Sequence, residues 1–121
     1  MAEEIENCVF CKIIRGEIKS EILKQSANFI AIKDINPVSE GHALIVPKAH
    51  YTTLLDLPEE LGAELMKFAK EIASELMETK KGSGFNVIMN NFPAAGQFVM
   101  HAHLHVIPRK EGDGIRYLVK E

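Results

Sequence analysis

His101-Ala102-His103-Leu104-His105-Val106-Ile107 alternates imidazoles with small or branched apolar side chains. A strand over 99–107 is the reading that fits, because period two sends alternate side chains to opposite faces. All three imidazoles then share one face, with neighbours roughly 6.5–7 Å apart along the strand. That spacing lets the rings surround one phosphate group or one metal ion. Each buried ring needs partners for two nitrogens, so three on one face are costly unless they act on something. An imidazole with a pKa near 6.5 also offers a neutral nucleophilic nitrogen at pH 7. A neighbouring ring can donate to phosphate oxygens or protonate a leaving group.

Working outward, Ala43-Leu44-Ile45-Val46-Pro47 is a continuous apolar run and reads as a strand buried on both faces, closed by Pro47. Residues 21–25 and 29–33 read as two short strands joined by a tight loop at 26–28. Residues 85–90 form another strand, followed by a loop over 91–96 that contains Pro93 and Gly96. Leu61, Leu65, Phe68, Ile72 and Leu76 recur at helical spacing and define a long helix whose apolar stripe serves packing. Asp56 with Glu59 resembles a capping box before it, with Pro58 in the first turn, and Gly82 follows Lys80-Lys81 at its end. A short helix over 8–15 stops at Gly16. The elements predict an α+β domain spanning 1–121, with a mainly antiparallel sheet of about five strands, one short helix and one long helix.

The chain has 121 residues, enough for one core. Its 14 Lys and Arg against 17 Asp and Glu give a formal charge of −3, which disfavours a nucleic-acid groove but not a small anionic ligand. No run approaches the ~20 apolar residues of a membrane span, and residues 1–6 lack the apolar core of a secretory signal. Two cysteines, Cys8 and Cys11, make no disulfide framework, so the expected compartment is a reducing cytoplasm. Their two-residue gap is half of a zinc site. It also fits a redox pair, although the βαβ context is missing, or two buried thiols packing as small hydrophobes. His101, His103 and His105 together could form a three-histidine metal site.

The run His101 to Ile107 followed by Pro108-Arg109 resembles the signature of the histidine triad (HIT) family of nucleotide hydrolases and transferases. The resemblance extends through Asp34-Ile35-Asn36-Pro37, Gly41-His42-Ala43-Leu44-Ile45-Val46-Pro47-Lys48-Ala49-His50, Asn90 and Gly96-Gln97. It implies a HIT-like fold that dimerises into a larger continuous sheet, through the long helix and the 85–90 strand. It implies that His103 attacks the α-phosphorus of a purine nucleotide conjugate and carries the nucleotide covalently. His105 would bind the phosphate and assist the leaving-group and water steps. Gly96 and Gln97 would hold phosphate oxygens, Asp34 the ribose hydroxyls, and Asn90 the ribose or phosphate edge. Phe10, Ile13, Ile32 and Ile35 match the apolar base pocket. Phe98 stands where many relatives carry Ser or Thr, and phenylalanine cannot contribute their hydroxyl to the phosphate.

Many family members with this cysteine pair resemble galactose-1-phosphate uridylyltransferases in their zinc ligands. The corresponding set here is Cys8, Cys11, His50 and His101, holding one structural zinc per chain. His42 reads as a structural residue near a strand start. Uridylyltransferase relatives usually have glutamine at the third triad position, so His105 favours water as acceptor. The expected substrate is a nucleoside phosphoramidate, a dinucleoside polyphosphate or a related nucleotide ester. The alternative is a nucleotide-binding regulatory or scaffold protein whose turnover is incidental.

Overall fold

Alternation within two central strands builds the domain, because each buries one set of side chains on either face. The structure is a computed structural model describing residues 6–115. Its elements are α1 (Val9–Ile14), β1 (Ile22–Gln25), β2 (Phe29–Lys33), β3 (Ala43–Pro47), α2 (Gly62–Glu78), β4 (Gly84–Ile88) and β5 (Leu104–Arg109). The strands form one antiparallel sheet in the order β1-β2-β3-β5-β4. The fold is the expected α+β architecture of five strands with one short and one long helix.

Phe29 and Ala31 of β2, Ala43 and Ile45 of β3 and Val106 of β5 face α2. They pack there with Phe68, Ile72, Ala73 and Leu76. Phe29 and Phe68 stack at 6.3 Å between ring centres. Ile30, Ile32, Leu44 and Val46 turn to the opposite face, where Phe10, Cys8 and Cys11 of the α1 region cover them. Both faces of β3 are therefore buried, as its unbroken apolar run predicts. The same alternation in β5 puts Val106 in the α2 core and leaves His105 facing the other way.

Several boundaries differ from expectation, among them β4, which runs Gly84–Ile88 and not 85–90. β5 begins at Leu104, not at 99. The segment before it leaves the ladder because its polar groups bond to the chain around and beyond the end of β3. The Ala102 N–H donates to the Tyr51 carbonyl at 2.6 Å, and the His101 ring to the Pro47 carbonyl at 2.9 Å. The capping box is formed by Thr53 and Asp56 around a short 3-10 turn, Leu54–Asp56, and α2 starts only at Gly62 without a side-chain cap. At the end of α2, Lys80 at φ 60° takes the left-handed position, with Lys80 N–H bonded to Met77 and Lys81 N–H to Leu76. Gly82 is needed for close approach instead, since a Cβ there would lie 2.7 Å from the Arg109 backbone nitrogen. Gly16 does end α1 at φ 81°, as expected.

β4 is an edge strand, and Phe85 and Val87 on it are 45% and 48% exposed. Among the described residues no helix is long and apolar enough to cross a membrane.

Candidate functional site

A cavity of about 500 Å³ opens on the sheet face opposite α2. Topology sets its layout. His105 lies mid-sheet, in register with Leu44 of β3 on one side and Ile88 of β4 on the other. Asp34 directly follows β2 and His42 directly precedes β3, and the Asp34 N–H donates to the His42 carbonyl at 3.1 Å. That pairing brings both side chains to the β2 side of His105. Asn90 follows β4 with Gly96 beside it, Phe10 and Ile13 of α1 pack with Ile32, and Phe98 also lines the cavity.

Hydrogen bonds fix the neutral form of each ring. The Val38 N–H donates to His42 Nδ1 at 3.1 Å, so the proton of neutral His42 sits on Nε2. That nitrogen faces His105 Nδ1 at 2.9 Å and Asp34 Oδ2 at 3.3 Å. His105 Nδ1 therefore accepts, and the His105 proton is left on Nε2. His103 Nδ1–H donates to the His101 carbonyl at 2.7 Å, which leaves the lone pair on Nε2. His103 and His105 lie 5.1 Å apart at their ring centres, and Phe10 meets His103 edge-on at 5.1 Å. One ring thus offers a lone pair and its neighbour an N–H.

Burial keeps these rings neutral. It pushes His103 below the usual imidazole range against the opposing pull of the His101 carbonyl and Asp34. His105 is pushed down to about 4, first by burial and then by His103 and His42. His42 is also lowered by burial, with Asp34 opposing.

Of the residues singled out in the sequence, Phe10, Ile13, Ile32, Asp34, Ile35, Asn90, Gly96, His103 and His105 line this one cavity. Gln97 does not. Its side chain is buried and fully engaged: Oε1 accepts from the Phe92 N–H at 2.6 Å, and Nε2 donates to the carbonyls of Thr52 and Val99. Nor are its own N–H and that of Gly96 directed at a ligand, because they bond to Phe92 and Pro93. In this structure the Gln97 side chain braces the loop. His42 is the residue whose part the sequence reading understates. Its signal is a histidine at a strand start, across from an aspartate at the end of the preceding strand.

A second cluster lies beside the first. Cys8, Cys11, His50 and His101 place one ligand atom each within 4.8 Å of one another. Cys8 Sγ is 3.2 Å and Cys11 Sγ 3.5 Å from His101 Nδ1, and Cys11 Sγ is 3.2 Å from His50 Nδ1. Donation from His101 Nε2–H to Pro47 leaves Nδ1 with its lone pair toward the thiols. Burial first, then Cys8, pushes the Cys11 thiol up to about 11. His101 thus belongs with the thiols and His105 with Asp34 and His42, so the three-histidine metal site is not formed.

The sequence profile of the HIT domain family matches residues 15–112. The adenylylsulfatase HINT3 of Arabidopsis thaliana is 43% identical over 107 residues, covering 88% of this chain; the chain spans 54% of that protein's length. The adenosine 5'-monophosphoramidase HNT1 of Candida albicans is 38% identical over 109 residues, covering 87% of this chain and 72% of its own. A HIT family protein of Bacillus anthracis superposes with a TM-score of 0.88 at 37% identity, over 96% of this chain and 83% of that one. A zinc-bound histidine triad family protein of Mycobacterium smegmatis superposes with a TM-score of 0.87 at 36% identity, over 96% and 84%.

Proposed function

This chain belongs to the HIT domain family, and we propose that it hydrolyses a nucleotide conjugate through a nucleotide carried on His103. The observation that carries this reading is the pair of fixed, opposite tautomers at His103 and His105. His103 Nε2 attacks the α-phosphorus as the bond to the leaving group breaks, and the leaving group takes the His105 Nε2 proton. Water then attacks the phosphorus, the bond to His103 Nε2 breaks, and His105 Nε2 takes back a proton from the water. The positive charge that develops on His103 is shared with the His101 carbonyl through Nδ1–H.

Asp34 accepts from the ribose hydroxyls, Asn90 and Gly96 border the phosphate, and Phe10, Ile13, Ile32 and Ile35 enclose a purine base. The relatives named for adenylyl sulfate and adenosine 5'-monophosphoramidate support a nucleotide hydrolase. The test is to incubate wild type and His105→Asn with an adenosine phosphoramidate, quench rapidly and weigh the protein. A nucleotide adduct mapped to His103 is expected, and its absence during turnover would remove the mechanism. If His103→Ala abolishes turnover yet leaves the cellular phenotype intact, the role is that of a nucleotide-binding regulator.

Cys8, Cys11, His50 and His101 suit one structural zinc ion. The donor set is two thiols and two imidazoles, the closest donors are 3.2–3.5 Å apart, and His101 already presents an unprotonated nitrogen. The zinc-bound relative supports the same assignment. Cys8, Cys11, His50 and His101 would together fill the shell of such an ion, which would tie the α1 region to the histidine segment as a structural site. The exposed β4 edge, with Phe85 and Val87, is the surface through which two copies would pair into a larger sheet. Light scattering in solution checks this.

A further inference from the structure

Phe10 is bracketed by the two thiols within one turn of chain, Cys8-Val9-Phe10-Cys11. Its ring lines the cavity, meets His103 edge-on at 5.1 Å and meets His101 at 5.7 Å with the planes at 90°. Both ends of that turn are seated through sulfur. Cys8 Sγ lies 3.2 Å from His101 Nδ1, and Cys11 Sγ lies 3.2 Å from His50 Nδ1. A change at the two sulfurs therefore changes the seat of a ring that borders the cavity.

The thiols are also placed to react with each other. Both are free, and their sulfurs lie within 4.8 Å of one another. Cys8 caps α1, and its Sγ accepts the Cys11 N–H at 3.3 Å, so this sulfur already lies over the turn that carries Cys11. Closing a disulfide takes side-chain rotation and adjustment within the first turn of a six-residue helix. Each thiol faces an imidazole nitrogen, and at His101 that nitrogen carries its lone pair, because Nε2–H donates to Pro47. A base beside a thiol makes the sulfur nucleophilic.

We infer that Cys8 and Cys11 form a redox modification site: hydrogen peroxide joins them in a disulfide that cannot hold a metal ion and that, through Phe10, weakens nucleotide binding. The last consequence rests on the nucleotide-conjugate reading above. His101 Nδ1 takes the Cys8 thiol proton, and Cys8 Sγ attacks a peroxide oxygen. The O–O bond breaks, hydroxide leaves and takes the proton from His101, and Cys8 becomes a sulfenic acid. Cys11 Sγ then attacks the Cys8 sulfur, the S–O bond breaks, and the oxygen departs as water with the Cys11 proton. One peroxide becomes two waters, and the two sulfurs give up two electrons. Where zinc holds them as thiolates, the two protons come from solvent. Only a thiolate serves as a zinc ligand, so the disulfide leaves His50 and His101 as the remaining donors.

The experiment treats zinc-loaded wild type with hydrogen peroxide and reads three quantities: released zinc with a colorimetric chelator, the non-reduced mass of tryptic peptide 1–12, and the Kd of adenosine monophosphate by calorimetry. Zinc should leave as the peptide becomes lighter by two hydrogens. The Kd should rise about three- to tenfold, the scale of one aromatic contact, and dithiothreitol with added zinc should restore all three. In Phe10→Leu the oxidised and reduced Kd values should differ by less than twofold. Thiols that stay separate, a peptide that gains oxygen without losing two hydrogens, or a Kd unmoved by the disulfide overturns the inference and leaves the nucleotide reading in place. So does a Phe10→Leu protein whose Kd responds as strongly as that of wild type. Reduced wild type that binds no adenosine monophosphate overturns both.

Discussion

Replacing His42 with leucine tests the relay behind His105. The side chain is buried at 2% exposure, and leucine fills most of its volume. Three polar atoms then lose a partner: the Val38 N–H, which His42 Nδ1 accepts at 3.1 Å, His105 Nδ1, which faces His42 Nε2 at 2.9 Å, and Asp34 Oδ2, 3.3 Å from the same Nε2. A buried polar atom left unpaired costs about 1–3 kcal/mol. For His105 that is also the free energy holding its proton on Nε2, because in the alternative tautomer the Nδ1 proton can turn to the Asp34 carboxylate, which loses its His42 partner as well. At about 1.4 kcal/mol per factor of ten, the reactive tautomer is depleted and kcat falls roughly 5- to 100-fold. The orphaned Val38 N–H lowers stability as well, by about 4 °C in Tm for each kcal/mol in a chain of this size. Steady-state kinetics on a phosphoramidate give kcat, and nitrogen-15 NMR of the His105 ring reads the tautomer directly. His42→Gln, whose amide can still donate to His105 Nδ1, should recover part of the rate. A His42→Leu enzyme within twofold of wild type, or one whose His105 ring keeps its proton on Nε2, would refute the relay.

Burial keeps His103 and His105 neutral, so the acid limb of kcat/KM should lie below pH 6.5, where a free imidazole would already be half protonated; a limb at or above 6.5 would contradict this. Stability follows the same sign. The unfolded chain binds protons near pH 6.5 while folded His42 and His105 resist them, so stability is complete above pH 6.5 and declines as pH falls toward about 4. Urea midpoints at pH 7 and pH 5 measure the decline, which should be shallower in His105→Asn. Removing the proposed zinc with a chelator should lower Tm, and Cys8→Ser should lower both Tm and metal content per chain; a melt insensitive to chelator and metal-free wild-type protein would exclude the ion. Gly82→Ala drives a Cβ to within 2.7–2.9 Å of the Arg109 and Gly84 backbones, which cannot yield as a side chain tip can. It should cost about 1–3 kcal/mol or more by urea denaturation.

What can be read from the sequence depends on whether local pattern or distant geometry decides the outcome. The two-faced burial of β3 and the α2 stripe follow from period and hydrophobicity, and both are legible. So is the gathering of Asp34, Asn90, His103 and His105 at one cavity, through the family resemblance. The start of β5 is not, because alternation continues from Ala102 into Val106 while the backbone departs to meet Tyr51 and Pro47 on another part of the chain. The capping box is ambiguous because both Thr53–Asp56 and Asp56–Glu59 fit the spacing, and only tertiary packing selects between them. The bracing role of Gln97 is hidden for a related reason. An amide beside a glycine in a ligand-binding loop looks available until the carbonyls of Thr52 and Val99 are seen to occupy it.

Alternation alone presents the histidine run as one surface with three equivalent rings, and its departure from strand geometry is what makes the rings unequal. In a regular strand, the His101 carbonyl would be spent on a ladder bond. Released from the ladder, it accepts from His103 Nδ1 at 2.7 Å and so selects the nitrogen on which His103 keeps its lone pair. The His101 ring, meanwhile, is fixed through Nε2 on Pro47 and turns Nδ1 to the two thiols. One residue therefore holds the proposed nucleophile with its backbone and the cysteine cluster with its side chain. A change at Cys8 or Cys11 that lets the His101 ring rotate should disturb His103 through the intervening main chain, without touching the cavity. By contrast, His105 takes its tautomer from His42 and Asp34 across the sheet. The two reacting rings are thus oriented by separate supports, and damage to either support should impair one half of the chemistry before the other.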